Sequence, residues 1–533
     1  MASPPVAAPS RKRTFLRSWL PWIILAIGVT AAALVWFWPS EELERANRVV
    51  FATWIIAPLT LILLGLWVLG LSGWTWRTRL IVVLVPLVLA AIGWAAAVRE
   101  VRLTGDMVPR FRLRWEKTPD EVREAHRQSA GVAVSWEPGD LSGKLPTDFP
   151  EYRGRKRDGV VHGPALARSW PTRLPRQLWR QPGGGGYSAF ALAGNAAVTL
   201  EQRRDEEAVV CYDAATGKEV WTYSYKALFT ETLGGPGPRA TPTIADGEVY
   251  SLGAQGDLVC LDAATGKLKW AVNILENNNN VQWGMSGSPL VYDRVVVVNP
   301  GAQTDAAKGK ALVAYDRATG QVVWTAGNSR AGYSSPMLAT LAGRRQILLF
   351  DGEGLGGYDA ATGAELWRYP WQTHMGINVA QPVVLDGDRV FISSGYNVGG
   401  ALLRIREKDG QWSVEPLWKN TLMRCKFTSP VAREGYLYGL DDGVLVCLDQ
   451  ETGKRAWRGD RYGHGQVLLA DDLLLVLSET GELVLVEATP EAYRELGRFA
   501  ALEGKTWNVP ALAGGKVYVR NDREMACYDL TGP

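Results

Sequence analysis

Short apolar segments separated by polar turns recur along residues 174–533. One nonapeptide is written five times, as DAATGKEVW at 213–221, DAATGKLKW at 262–270, DRATGQVVW at 316–324, DAATGAELW at 359–367 and DQETGKRAW at 449–457. Its first half predicts a turn, because an Asp side chain accepts hydrogen bonds from backbone N–H groups ahead of it and Gly supplies a positive φ. In its second half, small or charged residues alternate with apolar residues and the last residue is Trp, which is typical of an exposed outer strand.

A second marker of the repeat is a proline at the start of an apolar run. Prolines stand at 242, 289, 336, 382 and 430, at intervals of 46 to 48 residues, and again at 510. Proline is tolerated at the first residue of a strand or on an edge strand, and the innermost strand of a propeller blade is such an edge. Four short strands in every 40–50 residues or so predict a β-propeller.

The number of outer strands gives the number of blades. Seven of them end near Trp221, Trp270, Trp324, Trp367, Trp418, Trp457 and Arg498. Residues 507–529 supply three further strands, and Pro175–Arg180, which carries Trp179, supplies a fourth from before the first blade. We therefore predict an all-β propeller of eight blades, closed by an N-terminal strand because closure removes exposed sheet edges. Residues 404–418 and 487–499 keep the strand pattern without the Thr-Gly turn.

These blades resemble the pyrroloquinoline-quinone (PQQ) propeller repeat of the quinoprotein alcohol dehydrogenase-like superfamily, which BamB-like envelope proteins share. The resemblance rests on the Asp-x-x-Thr-Gly-x-x-x-Trp element and covers residues 174–533. It implies that each Trp docks against the neighbouring blade. The Gly-His and Trp-Asp signatures of WD40 repeats do not accompany the repeat.

Three uncharged apolar runs precede the propeller, at 19–38, 49–72 and 80–98. Each is long enough to cross about 30 Å of hydrocarbon as a helix, and tryptophans cluster at the ends of the runs. The alternative for the first run is a cleaved signal peptide, but it ends in LVWFWPS without a small-x-small exit. Cys211 is the first cysteine, so the lipid anchor of BamB is not expected.

Charge next to the spans gives conflicting indications of topology. Arg11, Lys12, Arg13 and Arg17 favour a cytoplasmic tail at residues 1–18, which places the propeller on the periplasmic side of a bacterial inner membrane. Six Arg and Lys residues between 99 and 117 would prefer the cytoplasm by the same rule. We expect the periplasmic arrangement, with the basic stretch against lipid headgroups.

Residues 99–173 are predicted to connect the membrane segment to the propeller. TPDEVREAHRQS at 118–129 begins with Thr and acidic residues, as a short surface helix does. FPEYRGRKRDGV at 149–160 resembles a segment that often precedes such propellers, and we expect it to pack rather than catalyse.

Composition excludes some functions. With 58 Lys and Arg against 55 Asp and Glu, the chain has no basic field to bind nucleic acid. Four of the five cysteines stand two residues before the repeat Asp or its equivalent, in separate blades, and are expected to be small buried hydrophobes. Cys425 is the one candidate for a reactive thiol, with burial as its alternative.

The loops that lead from one blade to the next meet at one mouth of the channel, where ligand sites are favoured. The candidate binding residues there are Tyr187, Arg239, Trp283, Tyr333, His374, Asn378, Lys426, His464 and Trp507, with Arg424 and Lys505 in the same loops. Cations and aromatic rings suit a planar anion, which could be a quinone, a peptide carboxylate or a glycan. The alternative is that these loops are polar, exposed to water and bind no ligand. We expect Arg239, Lys426 and His464 to be exposed and to face the mouth together.

Two functions remain open from the sequence. The first is a non-catalytic binding or scaffold module for a protein or envelope ligand, with no catalytic residue, metal or cofactor. The alternative, implied by the resemblance, is a PQQ-dependent membrane oxidoreductase that uses calcium. No adjacent Cys pair occurs, and the mouth loops offer few carboxylates as hard oxygen ligands for that ion.

Overall fold

Residues 18–37, 45–130, 136–168, 170, 172–275 and 281–531 are described by a computed structural model. The chain divides into two compact units, of which the first ends at Lys117 and the second begins at Thr118. The predicted cytoplasmic tail lies outside the described residues except for Ser18, and so does Trp38, the predicted end of the first span.

The first unit contains three helical segments that are long and apolar enough to span a membrane, Leu20–Phe37, Asn47–Gly70 and Trp76–Ala97. Its elements are α1 (Leu20–Phe37), α2 (Arg45–Val49), a π-helical stretch (Val50–Ile56), α3 (Ala57–Gly70), α4 (Trp76–Ala97), β1 (Val98–Leu103) and β2 (Pro109–Leu113). The prediction of three helices long and apolar enough to span a membrane is confirmed. The third helix begins at Trp76 rather than at residue 80 because Thr75 caps it, accepting a hydrogen bond from the Thr78 amide at 3.3 Å.

The second unit opens with the predicted surface helix, α5 (Pro119–Ala130). Thr118 and Glu121 form a reciprocal cap at its start: the Glu121 amide donates to the Thr118 hydroxyl at 3.2 Å, and the Thr118 amide donates to the Glu121 carboxylate at 2.7 Å. The two-residue strand β3 (Val160–Val161) follows.

Eight antiparallel four-stranded blades then form the propeller, as predicted. The strands of the first four blades, from the inner to the outer, are β5 (Ala191–Ala193), β6 (Ala196–Arg203), β7 (Glu206–Asp213) and β8 (Glu219–Lys226); β9 (Thr243–Ala245), β10 (Glu248–Leu252), β11 (Asp257–Asp262) and β12 (Leu268–Asn273); β13 (Leu290–Tyr292), β14 (Val295–Val298), β15 (Leu312–Asp316) and β16 (Val322–Ala326); β17 (Met337–Leu341), β18 (Arg344–Phe350), β19 (Gly354–Asp359) and β20 (Glu365–Pro370).

The remaining blades follow the same order. Their strands are β21 (Val383–Leu385), β22 (Arg389–Ser394), β23 (Gly399–Lys408) and β24 (Gln411–Asn420); β25 (Val431–Arg433), β26 (Tyr436–Asp441), β27 (Val444–Asp449) and β28 (Arg455–Arg461); β29 (Gln466–Ala470), β30 (Leu473–Leu477), β31 (Glu482–Glu487) and β32 (Glu495–Ala500); β33 (Ala511–Ala513), β34 (Lys516–Arg520), β35 (Glu524–Asp529) and, from before the first blade, β4 (Arg176–Pro182). β4 pairs with β35, so closure by an N-terminal strand is confirmed. β3 adds to blade seven in parallel with β29.

The repeated nonapeptide forms the predicted turn. In its first copy the Asp213 carboxylate accepts hydrogen bonds from the Thr216 amide at 2.8 Å and from the Thr216 hydroxyl at 2.9 Å. Gly217 takes a φ of +74°, in the left-handed region that favours glycine. Glycine adopts this φ without the strain that a side chain would cause. The space beside its Cα is therefore open to a ring from the preceding blade.

The repeat Trp occupies that space. The indole N–H of Trp179 donates to the Ala214 carbonyl at 3.0 Å, and the indole N–H of Trp221 donates to the Ala263 carbonyl at 3.0 Å, each in the next blade. Trp367 departs from this arrangement, since its N–H donates to the Gln346 side chain in its own blade at 2.7 Å. The contacts confirm the implied docking of Trp residues against neighbouring blades.

The segment 149–160 fills the centre of the ring, in agreement with the expectation that it packs. The Arg157 guanidinium donates to the carbonyls of Ser288 at 2.9 Å and Pro336 at 2.8 Å, and also to the carbonyl of Pro289. The Arg153 guanidinium donates to the carbonyls of Pro430 at 3.0 Å and Val467 at 3.0 Å. Because these acceptors belong to the inner edges of different blades, two buried arginines join opposite sides of the propeller.

All five cysteines are buried and free. Burial raises the pKa of the Cys425 thiol to about 12. The alternative for Cys425, a buried hydrophobe, is therefore confirmed.

The packing of Trp on glycine predicts the effect of one added methyl group. A Cβ at Gly266 would lie 2.5 Å from the Trp221 ring, whereas a Cβ at Gly343, which has a similar φ of +73°, would meet nothing within 4 Å. We expect Gly343→Ala to lower the free energy of unfolding by about 1 kcal/mol through backbone strain. Gly266→Ala should lower it by about 3 kcal/mol, because the ring must also move. Thermal unfolding midpoints of the two variants test this, and equal shifts would contradict it.

Candidate functional site

The loops between blades enclose an open cavity of about 170 Å³ at one mouth of the channel. Most of its lining is apolar or aromatic, and it is drawn from loops throughout the ring. The lining residues are Tyr152, Tyr187, Glu231, Leu233, Gly234, Arg239, Trp283, Ser286, Tyr333, Ile377, Val379, Tyr396, Phe427, Gln466, Trp507 and Val509. Five of the nine candidate residues therefore line the cavity together: Tyr187, Arg239, Trp283, Tyr333 and Trp507.

Two groups of rings form the walls. Trp507 lies between Tyr187 and Phe427, with ring centroids 5.2 and 4.7 Å away. Trp283 and Tyr333 meet edge to face with centroids 5.8 Å apart. Because these rings come from loops of separate blades, their mutual packing makes each loop depend on its neighbours.

Arg239 lines the cavity but is not an exposed cation. Its guanidinium forms an ion pair with Glu231 at 3.2 Å and lies 4.6 Å from the centre of the Phe229 ring. The Glu231 carboxylate also accepts hydrogen bonds from the amides of Leu233 at 2.6 Å and Gly234 at 2.5 Å. The expectation of an exposed Arg239 is wrong, because one loop supplies both the cation and the carboxylate that neutralises it.

Two lysines lie close to the aromatic walls. The Lys505 ammonium is 4.2 Å from the Trp507 ring centre and donates to the Leu233 carbonyl at 2.7 Å. The Lys426 ammonium is 5.1 Å from the Tyr396 ring centre and 5.8 Å from that of Phe427. Lys426 is buried rather than exposed, so that expectation is also wrong. Both ammonium groups are close enough to these rings for cation–π interactions, so they place positive charge beside the aromatic walls.

The blade-six loop residue Arg424 and the blade-seven residue His464 are buried in supporting roles. The Arg424 guanidinium donates two hydrogen bonds to the Asp441 carboxylate, of 2.7 and 3.1 Å. His464 packs edge to face against Phe427 at 5.3 Å, and its amide donates to Glu479 at 3.2 Å. The predicted exposure of His464 is therefore wrong, because its ring supports the cavity wall from behind.

Asn378 and His374 do not line the cavity. Asn378 is fully buried, and its amide donates to the carbonyls of Asp351 at 2.8 Å and Trp371 at 3.3 Å. It satisfies two backbone carbonyls in the loops of blade four, so the structure does not place it in the cavity lining. His374 is exposed on the short 3₁₀ turn His374–Gly376.

Several lining residues were not predicted from the sequence. Tyr152 comes from the segment that fills the channel, and Tyr396 comes from the hairpin between β22 and β23 rather than from a loop between blades. Phe427 is adjacent to Lys426 in the predicted loop, so proximity in sequence could have indicated it. Glu231 lies in the Gly-rich loop before Arg239 and has no motif of its own.

A second hollow of about 150 Å³ shares Trp283 and Tyr333 with the first. Its lining includes Arg330 and Met375, of which Met375 is 52% exposed. The Trp283–Tyr333 pair is therefore a wall with a recess on each side.

The titratable groups of this region are engaged in internal bonds. Of the described residues that line the main cavity, Glu231 alone carries a carboxylate. Burial raises the pKa of Glu207 to about 7, but this group does not line the cavity and accepts hydrogen bonds from the Tyr225 hydroxyl and the Ala254 amide. Within the described ranges, no group of three or more His, Cys, Asp or Glu side chains is placed to hold a metal ion. The described lining residues therefore offer one carboxylate, where calcium takes about six to eight oxygen ligands.

Known proteins share this architecture. One similar solved structure is BamB from Moraxella catarrhalis, which is 16% identical with a TM-score of 0.49, over 67% of this chain and 99% of that one. Quinohemoprotein alcohol dehydrogenase from Comamonas testosteroni is 13% identical with a TM-score of 0.52, over 78% and 84%. Quinohemoprotein alcohol dehydrogenase ADHIIG from Pseudomonas putida HK5 is 14% identical with a TM-score of 0.50, over 75% and 82%. Such identities show a likeness of fold alone.

Sequence relationships are more specific about family. No curated protein matches the chain significantly. The family model described as outer membrane protein assembly factor BamB matches residues 173–251, 205–459 and 441–532. These ranges run through all eight blades and span more than half of the chain. The protein therefore belongs to the family of PQQ-like β-propellers described as outer membrane protein assembly factor BamB.

Proposed function

We propose that this chain is a membrane-anchored, non-catalytic binding propeller whose mouth receives a protein of the cell envelope. The observation that carries the proposal is the cavity at the mouth, which combines aromatic walls with charged groups that already bond to one another. A surface of this kind gains free energy by burying apolar side chains of a partner, as the centres of protein interfaces do.

The geometry favours an extended partner segment with two apolar anchors. The main cavity and the neighbouring hollow lie on either side of the Trp283–Tyr333 pair. Side chains two residues apart in an extended segment point to the same side and are spaced by about 7 Å, so one could enter each recess. Lys505, which is partly exposed beside the Trp507 ring, would favour a segment that carries acidic residues outside the anchors.

Membership of the family supports a protein partner. The family description refers to assembly of outer membrane proteins. We extend only the class of partner, an envelope protein, to this chain. The three apolar helices support attachment to the membrane, and we propose the bacterial inner membrane with the propeller on the periplasmic side.

The second candidate is a PQQ-dependent membrane oxidoreductase. The likeness of fold to quinohemoprotein alcohol dehydrogenases favours it, and the rings at the mouth could stack on a planar quinone. Against it stands the donor set, since Glu231 is occupied by Arg239 and two backbone amides. The residues at the mouth therefore fit a binding role better than a calcium–quinone site.

Removal of the Trp283 ring tests the binding role. Affinity purification of the full chain from solubilised membranes should enrich a reproducible partner, and Trp283→Ala should weaken its retention about 30-fold, which corresponds to loss of about 2 kcal/mol at an interface centre. Val323→Ala, which trims an exposed side chain on the outer strand β16, is the matched control and should retain the partner. Equal retention by both variants would contradict the assignment of the mouth as the binding surface.

The proposed orientation is tested by a fusion. Alkaline phosphatase joined after the last propeller blade should be active in a bacterial host, because that enzyme folds only in an oxidising compartment. The same enzyme inserted between the second and third spans, near Ser72, should be inactive. The reverse pattern would place the propeller in the cytoplasm.

The oxidoreductase candidate makes a direct prediction about ligands. Adding PQQ together with Ca²⁺ to the purified chain should change neither the quinone absorbance nor its thermal midpoint, and no alcohol or sugar should drive dye reduction. A Ca²⁺-dependent absorbance change accompanied by dye reduction would overturn the non-catalytic proposal and establish the second candidate.

A further inference from the structure

The hairpin that follows the third span has an unusual charge distribution. Between Val98 and Lys117 there are six Arg or Lys residues and three Asp or Glu residues. Glu100 is engaged by Arg102 at 2.8 Å and by Arg112 at 3.2 Å, and Asp106 is engaged by Arg45 at 3.3 Å. The internal carboxylates are therefore already neutralised by other residues.

Four cations on this hairpin remain exposed to solvent: Arg99, Arg110, Arg114 and Lys117. None of the four side chains is paired with a described residue. Glu116 is the only nearby carboxylate, among the described residues of the hairpin, outside the ion pairs of Glu100 and Asp106. The hairpin thus presents a net positive surface that the first unit does not itself neutralise.

The two faces of the hairpin differ in character. Register places Glu100 opposite Arg112 and Arg102 opposite Arg110, so these residues share one face. Val101 is opposite Phe111 on the other face. Phe111 is 50% exposed and meets Trp94 edge to face at 5.5 Å, while Trp115 is 70% exposed. Exposed aromatic rings beside a membrane span are typical of the interface between hydrocarbon and water.

Contacts hold both ends of the hairpin at the level of the spans. β1 starts at Val98, directly after α4, and the Arg114 amide donates to the Ala97 carbonyl at 2.9 Å. At the other end, the Met107 carbonyl accepts a hydrogen bond of 3.2 Å from the indole N–H of Trp54, which belongs to the second span. A hairpin tied to two spans in this way lies across their ends instead of projecting away from the membrane.

We propose that this hairpin is a binding site for anionic phospholipid headgroups, formed by Arg99, Arg110, Arg114 and Lys117. Arg99 is the second residue after the end of α4, and the Arg114 amide bonds to Ala97, the last residue of that helix, so both lie within about 7 Å of the helix end. The polar region of one leaflet is about as thick, so these guanidinium groups lie at the depth of lipid phosphates. Arginine binds phosphate oxygens with two parallel hydrogen bonds. On the other face of the hairpin, the exposed Phe111 ring packs against Trp94 of the third span and anchors the hairpin at the membrane interface.

Lipid retention by the purified full chain tests this site. In an uncharged detergent with equal amounts of phosphatidylglycerol and phosphatidylcholine, native mass spectrometry should show preferential retention of phosphatidylglycerol. The variant Arg99→Gln/Arg110→Gln/Arg114→Gln should reduce that preference by about tenfold or more, since each basic residue near an anionic surface contributes about fivefold. Lys218→Gln/Lys267→Gln/Lys308→Gln removes the same number of exposed charges from the propeller and should leave the preference unchanged.

A second measurement uses the unaltered protein. Its thermal midpoint should be higher in nanodiscs that contain phosphatidylglycerol than in nanodiscs of phosphatidylcholine alone, and high salt should remove the difference by screening. Equal retention of the two lipids, or an equal loss of preference in the propeller control, would overturn the proposal. An equal rise in midpoint from soluble glycerol phosphate would also overturn it, because the site would then bind a free anion rather than a lipid surface.

Discussion

The ring depends on a single recurrent contact, in which the Trp at the end of one blade lies flat on the glycine of the next blade's turn. Gly217 and Gly266 have no side chain and a positive φ, which leaves room for the rings of Trp179 and Trp221. The indole N–H then satisfies a backbone carbonyl that would otherwise be buried without a donor. Burial of a large ring and satisfaction of a polar group therefore occur at the same point, and the contact defines how closely adjacent sheets approach.

Closure of the ring creates a second requirement, because the inner edges of the blades present carbonyl groups to a narrow channel. Arg153 and Arg157 meet this requirement from a segment outside the repeats. A buried guanidinium is costly unless its donors are used, and these two arginines are each 1% exposed. The same segment also supplies Tyr152 to the lining of the mouth cavity.

The mouth joins aromatic recognition to internal neutralisation of charge. Arg239 with Glu231 and Arg424 with Asp441 hold the loops in place, so the surface available to a ligand consists mainly of rings and aliphatic groups. The membrane-proximal hairpin has a different arrangement, because Arg102 and Arg112 pair with Glu100 while four further basic side chains are exposed to solvent. The two surfaces are therefore suited to different partners, an apolar segment of a protein at the mouth and anionic headgroups at the hairpin.

The sequence by itself determined the architecture, because the features that encode it are local and repeated. Thr-Gly turns, prolines before the inner strands, the closing strand around Trp179 and three long apolar runs can all be recognised within a few residues. Only the tertiary structure decided the composition of the mouth. Tyr152 and Phe427 line one cavity although they lie in separate parts of the chain. Asn378 does not line the cavity, because it is buried and donates hydrogen bonds to backbone carbonyls. A side chain's exposure and charge partners depend on residues brought together by the closed ring, and no local pattern contains that information.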